Sequence, residues 1–204
     1  MSKIAIIGAT GHVGSQLLEE ALRRGHSVTA IARHASKLGP RVGVENRDID
    51  VTDPQALQQA LVGHDAVLSA ARFADIAPEA IIDPVKRAGV KRLLVVGGAG
   101  SLRLPDGTLV IESPNFPDSY KPEAIGGGAY LEALRREQTL DWSFLSPSAE
   151  FVEGPRTEKF RLGKDDLMVG IGGRSWISFA DFAIAMLNEL EKPSHSRQRF
   201  TVGY

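Results

Sequence analysis

Residues 3–14, Lys3-Ile-Ala-Ile-Ile-Gly-Ala-Thr-Gly-His-Val-Gly14, are the stretch that decides the fold of this chain. Residues 4–7 form an apolar run rich in β-branched side chains, which is typical of a strand buried on both faces. Apolar residues then recur at helical spacing as far as Gly25, namely Val13, Leu17, Leu18, Ala21 and Leu22. Glycines separate the two patterns. A strand, a glycine turn and a helix in this order predict a site for the diphosphate of a dinucleotide.

Each glycine of this turn has its own expected role. Gly8 lets the chain turn sharply off the strand, Gly11 lets the pyrophosphate approach the backbone, and Gly14 lets the helix press close to the sheet. The helix N-terminus adds free N–H groups and a positive dipole. The other residues of the predicted cradle are Thr10, His12 and Val13. The alternative is a tight turn that binds no ligand.

The segment Gly8-Ala-Thr-Gly-His-Val-Gly14 resembles the fingerprint of the atypical and extended short-chain dehydrogenase/reductase superfamily. Residues 89–101, Gly-Val-Lys-Arg-Leu-Leu-Val-Val-Gly-Gly-Ala-Gly-Ser, again resemble its atypical members. The resemblance covers essentially the whole chain. It implies a Rossmann-type fold, an α/β doubly wound parallel sheet that binds NAD or NADP. We expect one such domain over residues 1–204, with a small C-terminal cap.

Composition limits the classes of partner. Of the 204 residues, 43% are hydrophobic and 24% are charged, and the net charge of -1 gives no electrostatic reason to expect nucleic acid. The chain has no cysteine, and its five histidines lack the spacing of a metal site. No apolar run approaches the length of a membrane span, and no signal-peptide pattern precedes the first strand. We therefore expect a cytoplasmic monomer or homodimer without a metal, membrane or nucleic-acid partner.

Residues 27–32 predict the second strand, and the residues after this strand bear on the choice of cofactor. In a Rossmann unit this strand ends beside the adenosine ribose, where an acidic residue marks NAD and an arginine accommodates the 2′-phosphate of NADP. Here the strand is followed by Arg33, His34, Ser36 and Lys37, with no carboxylate among them. We predict that Arg33 and Lys37 bind the 2′-phosphate, which favours NADP and leaves NAD possible. The alternative is a basic, solvated loop.

Two further segments follow predicted strands at the same edge of the sheet. Asp50 and Val51 match the place where the resembled family contacts the adenine, although Asp50 as a cap of the turn is an equal alternative. Ala70 and Ala71 are small enough for the cofactor to approach, and Arg72 could meet a phosphate. A solvated Arg72 is the alternative interpretation of that residue.

The resemblance also provides candidates on the nicotinamide side. Pro147 and Ser148 match the family's proline-containing turn that lies against the nicotinamide, and Ser101 matches the serine that bonds a substrate carbonyl. Residues 102–128 contain four prolines and three consecutive glycines, which predicts an irregular acceptor-binding loop. Tyr120 in this segment is a second candidate substrate contact.

The chain departs from the family at the catalytic pair. Classical members of the superfamily move a proton with a Tyr-x-x-x-Lys pair on the helix before the sixth strand. Here Leu134 stands four residues after Tyr130, and Ala124 stands four residues after Tyr120. Reduction of a flavin or a similar conjugated acceptor places a smaller demand on catalytic side chains, because the nicotinamide supplies hydride and water can supply the proton.

Dyad-free relatives include flavin reductase- and biliverdin reductase-like proteins. The predicted function is therefore a reductase of a flavin or another small conjugated acceptor. Two alternatives stay open: a non-catalytic NADP sensor like the NmrA-like members, and an epimerase- or dehydratase-like enzyme with an unrecognised base.

Overall fold

The first strand, β1, is buried on both of its faces. Ile4 and Ile6 lie in one hydrophobic core, whereas Ala5 and Ile7 lie in a second core on the other side. Side chains alternate across a strand, so an unbroken apolar run requires covering layers on both faces of the sheet. The structure, a computed structural model that describes residues 1–204, has this three-layered arrangement.

Ten strands are present, and eight of them form one sheet. In chain order they are β1 (Lys3–Ile7), β2 (Ser27–Ala32), β3 (Val44–Asp48), β4 (Ala66–Ser69), β5 (Arg92–Val96), β6 (Asp141–Pro147), β7 (Glu150–Val152), β8 (Arg161–Gly163), β9 (Trp176–Ser178) and β10 (Gln198–Gly203). The main sheet has the order β3-β2-β1-β4-β5-β6-β10-β8. All its pairs are parallel except that of β8 with β10.

Five α-helices cover this sheet: α1 (His12–Arg23), α2 (Pro54–Leu61), α3 (Glu79–Arg87), α4 (Lys121–Arg136) and α5 (Phe179–Glu191). Helices α1 and α5 bury their apolar residues in one core, and α2, α3 and α4 bury theirs in the other. The predicted doubly wound Rossmann-type fold is confirmed. Its strand order reverses between β1 and β4, and ligands of such sheets bind beyond the carboxyl ends of the strands at that point.

The irregular segment after β5 is shorter than the sequence predicts. Helix α4 begins at Lys121, so the loop ends near residue 120 and the three consecutive glycines are helical. Contact with the loop after β4 explains this difference. A β-carbon at Gly126 would lie 2.5 Å from the carbonyl oxygen of Phe73. Tertiary packing here overrides the low helix propensity of glycine.

The C-terminal part contains small strands that sequence patterns did not predict. Strands β7 and β9 form a separate parallel pair, and β8 adds an antiparallel edge to the main sheet. The last strand, β10, lies between β6 and β8. No helix has the length and apolar character needed to cross a bilayer. The cytoplasmic location and the state of association stay predictions.

Candidate functional site

The glycine turn lies between β1 and α1, directly against the end of β4. Gly8 has a positive φ of 79°, and a β-carbon there would lie 2.7 Å from the carbonyl oxygen of Ala70. A β-carbon at Gly14 would overlap the carbonyl oxygen of Gly8. Helix α1 is therefore pressed against the turn in the way that the sequence predicts. The structure thus brings together the glycine turn and Ala70, two candidate parts of the site that were predicted from separate segments.

The N-terminus of α1 is open to an anion. Its N-cap is Gly11, no side chain bonds the first amides, and the first turn carries no acidic residue. Gly11 and Thr10 are exposed, and Val13 is half-buried. Unpaired amides at a helix N-terminus, together with the helix dipole, favour a bound phosphate group.

Three aromatic rings lie in contact beside the N-terminus of α1. The ring centroids of His12 and Phe179 are 5.9 Å apart, and the ring of Phe151 meets Phe179 edge-on at 4.8 Å. Phe179 is the first residue of α5, so the N-termini of α1 and α5 lie side by side. Sequence reasoning missed Phe151 and Phe179 because no motif connects them to the glycine turn.

The two residues that were predicted to bind the 2′-phosphate have unpaired cationic side chains. Arg33 and Lys37 are exposed, and their side chains form no ion pair or hydrogen bond. Ser36 differs, since its hydroxyl and amide both donate to the carboxylate of Asp48, each at 2.7 Å. These bonds hold the pKa of Asp48 below its ordinary value. The short 3-10 helix Ala35–Leu38 is thus tied to the end of β3.

The carboxylate of Asp50 is hydrogen-bonded within its own turn. This carboxylate accepts from the amide of Thr52 at 3.0 Å and from the Thr52 hydroxyl at 2.8 Å. Those bonds, with a smaller contribution from the charge of Arg33, lower the pKa of Asp50. The capping alternative therefore describes the observed contacts, and adenine binding by Asp50 and half-buried Val51 stays a prediction.

The loop after β4 begins with half-buried Ala70 and Ala71 and continues to exposed Arg72. The Arg72 guanidinium lies 3.7 Å from the carboxylate of Glu123 on α4. Glu123 also accepts from the amides of Phe73 at 2.8 Å and Ala74 at 3.0 Å. Sequence reasoning missed Glu123, because a glutamate in a helical first turn ordinarily indicates only a favourable interaction with the helix dipole.

The candidate catalytic hydroxyls lie in different surroundings. The Ser101 Oγ lies 3.3 Å from Nη1 of Arg199 on β10, and Arg199 in turn pairs with Asp165. Tyr120 precedes α4 and is 64% exposed. Roles for Ser101 and Tyr120 in binding a substrate stay predictions.

Tyr130 is the one tyrosine inside α4, and it faces the core. It is 1% exposed, its ring centroid lies 5.3 Å from that of Phe73, and its hydroxyl has no hydrogen-bond partner. Burial raises the pKa of this phenol. A group so placed is poorly suited to exchange protons with a substrate.

Strand β6 ends at Pro147 at the same edge of the sheet, and Ser148 follows it. Both are buried, and the Ser148 hydroxyl donates to the carbonyl oxygen of Val202 at 3.0 Å. This hydrogen bond ties the Ser148 side chain to the backbone of β10. Contact of Pro147 and Ser148 with the cofactor stays a prediction.

A family model described as NAD(P)H-binding matches residues 8–193, which include the glycine turn, Arg33, Ala70 and the turn after β6. The chain belongs to this NAD(P)H-binding family. The resemblance to the atypical short-chain dehydrogenase/reductases is confirmed by this match.

Three relatives align with this NAD(P)H-binding protein over nearly its whole length. The uncharacterized protein YwnB of Bacillus subtilis is 41% identical, covering 98% of this chain and 97% of its own. A crystal structure from Bacteroides thetaiotaomicron, provisionally named an epimerase, is 44% identical with a TM-score of 0.94, covering 100% of this chain and 97% of that one. A structure from Streptococcus pneumoniae TIGR4, provisionally named an NADH-flavin reductase, is 35% identical with a TM-score of 0.86, covering 100% and 99%.

Proposed function

We propose that this protein binds NADPH and reduces a flavin or another small conjugated acceptor. The observation that carries the proposal is the combination found at the carboxyl edge of the sheet. An uncapped helix N-terminus and two unpaired cationic side chains suit the phosphates of NADPH, whereas Tyr130, the one tyrosine within α4, is buried and poorly placed to act as a general base.

The residues present fit the cofactor. The turn residues Gly8, Thr10, Gly11, His12, Val13 and Gly14 would hold the diphosphate against the N-terminus of α1. Arg33 and Lys37 would pair with the 2′-phosphate, which favours NADPH over NADH. Ala70 and Ala71 would lie along the ribose, and the turn at Pro147 would lie near the nicotinamide.

The chemistry requires little from side chains. Bound NADPH would supply a hydride, and the protein would hold its nicotinamide and the acceptor in contact and limit the access of water. Addition of hydride to a conjugated acceptor leaves negative charge on a heteroatom, and solvent can protonate that atom. Tyr120, which precedes α4 and is exposed, would be a contact for such an acceptor.

The name of the Streptococcus pneumoniae relative, 35% identical over its whole length, supports the choice of a flavin. The name of the Bacteroides thetaiotaomicron relative favours epimerisation instead. Epimerisation requires a group that removes and returns a proton, and the buried Tyr130 hydroxyl is a poor candidate. A sensor that binds NADPH without turnover would use the same phosphate contacts.

The test is an NADPH-oxidation assay with FMN, FAD and small quinones, corrected for the reaction without protein. We expect saturable oxidation of NADPH with at least one flavin, and slower oxidation of NADH. NADPH binding without turnover of any acceptor would favour the sensor. Isomerisation of a sugar nucleotide without net oxidation of the cofactor would favour the epimerase.

A further inference from the structure

Helix α4 clamps the loop that follows β4. One carboxylate, that of Glu123, accepts from two successive backbone amides of this loop, Phe73 at 2.8 Å and Ala74 at 3.0 Å. The same carboxylate lies 3.7 Å from the guanidinium of Arg72. Hydrogen bonds to an ionised acceptor are about twice as strong as those between neutral groups, so Glu123 fixes this loop firmly.

Packing holds the same loop from the next turn of α4. A β-carbon at Gly126 would lie 2.5 Å from the Phe73 carbonyl oxygen, and one at Gly127 would lie 3.1 Å from the Phe73 ring. That ring inserts between Tyr130 and Phe144, with centroid distances of 5.3 and 6.1 Å. Each helical glycine costs about 1 kcal/mol relative to alanine. The close contact with Phe73 gives two of these glycines a structural reason.

The clamped loop reaches the dinucleotide site at its other end. Ala70 borders Gly8, and only Ala71 and Arg72 separate Ala70 from the clamped residue Phe73. In the strand order, β4 lies on one side of β1, whereas β2 and β3, which carry Arg33 and Asp50 at their ends, lie on the other. A diphosphate bound at the turn after β1 would lie between the two halves of the cofactor. The loop after β4 would then lie on the nicotinamide side, opposite the ends of β2 and β3.

We propose that Glu123 is a positioning residue that seats the nicotinamide half of the dinucleotide by holding the loop after β4. This inference rests on the proposed binding of NADPH. Glu123 acts on the loop backbone and not on the reacting atoms. Its loss should therefore disturb binding and turnover of whole NADPH while the adenine half binds normally.

The experiment compares wild type with Glu123→Ala, Glu123→Gln and the control Glu132→Ala. Glu132 is an exposed glutamate of the same helix that pairs only with Arg135. Affinities are measured for NADPH and for adenosine 2′,5′-bisphosphate, which carries the adenine and 2′-phosphate but no nicotinamide. Turnover with FMN is measured in parallel, and thermal unfolding reports on the fold.

We expect Glu123→Ala to weaken NADPH binding about tenfold and to lower kcat by a similar factor, because small misplacements of a reacting ring are costly. Its affinity for adenosine 2′,5′-bisphosphate should stay within about twofold of wild type. Glu123→Gln keeps one carbonyl oxygen that can accept from the loop and should recover part of both losses. Glu132→Ala should behave as wild type.

Two results overturn the proposal. The first is that both Glu123 variants bind NADPH with the same affinity as Glu132→Ala. The other is an equal loss of NADPH and adenosine 2′,5′-bisphosphate, which indicates a general defect of the fold. The binding measurements do not depend on the acceptor, so an error in the choice of flavin leaves them intact. Failure of wild type itself to bind NADPH would instead overturn the proposed function, and with it this inference.

Discussion

Gly14 in the first turn of α1 lies so close to Gly8 that a β-carbon at position 14 would overlap the Gly8 carbonyl oxygen. This contact sets the distance between helix and turn. It also determines where the amides at the N-terminus of α1 point. A change at Gly14 therefore tests packing and the anion site together.

We predict that Gly14→Ala loses most of its NADPH affinity and is destabilised by about 1–3 kcal/mol, because the obstacle is rigid backbone. Gly128→Ala is the matched control, since it is also helical and a β-carbon there meets nothing within 4 Å. The control should gain about 1 kcal/mol in stability. Urea unfolding and NADPH titration measure both effects. A Gly14→Ala protein as stable as wild type would show that the helix can move without cost.

Arg33→Glu should separate the two nicotinamide cofactors. Replacing a free cation with an anion removes a charge-assisted contact with the 2′-phosphate and adds repulsion. We expect NADPH affinity to fall about tenfold to a hundredfold, while NADH affinity changes little. Arg87→Glu is the control, because Arg87 is an exposed arginine at the distant end of α3. Equal losses for both nucleotides, or no loss, would contradict the role of Arg33.

Tyr130→Phe tests whether the tyrosine of α4 takes part in the chemistry. The hydroxyl is buried without a partner, so removing its oxygen should leave stability unchanged or raise it by about 1 kcal/mol. Turnover with a flavin should stay within about twofold of wild type. Steady-state kinetics and thermal unfolding provide both values. A large fall in kcat with an intact fold would indicate that the Tyr130 hydroxyl takes part in catalysis.

Glu137, just beyond α4, should make folding stability depend on pH. Burial acts to raise its pKa, but hydrogen bonds from Lys86, Thr139 and the Leu140 amide prevail and lower that pKa to about 2. Because the folded pKa is the lower one, the stabilisation is complete above the unfolded pKa of 4.5 and is lost as the pH falls toward 2.

We therefore expect Glu137→Gln to be less stable than wild type at neutral pH by about 2 kcal/mol, with the difference shrinking below about pH 4.5. Urea unfolding across this range measures it. Glu132→Gln, at an exposed site on α4, should show no comparable trend. A difference between Glu137→Gln and wild type that stays constant down to about pH 2 would contradict the assignment.

The sequence was most informative where one local rule decides the structure. The buried run 4–7 and the three glycines predicted the first strand, turn and helix, because steric fit at Gly8 and Gly14 allows few alternatives. The predicted extent of the irregular loop, residues 102–128, was wrong at its end: α4 begins at Lys121, and two of its glycines, Gly126 and Gly127, pack against Phe73, a residue more than fifty positions earlier.

Other parts of the site depend on contacts between distant segments. Glu123 meets the amides of Phe73 and Ala74 only once α4 lies over the end of β4. Phe179 meets His12 only because α5 lies beside α1. Neither contact has a spacing that a single sequence can reveal, so no local pattern predicts them.

A fluorescence titration of the wild-type protein with NADPH and with NADH would show whether the turn from Gly8 to Gly14 holds a dinucleotide. We predict saturable binding of both nucleotides, with NADPH the tighter because of Arg33 and Lys37. Binding of NADH with equal or higher affinity would contradict the role of these cations. Binding of neither nucleotide would contradict the assignment of the glycine turn itself.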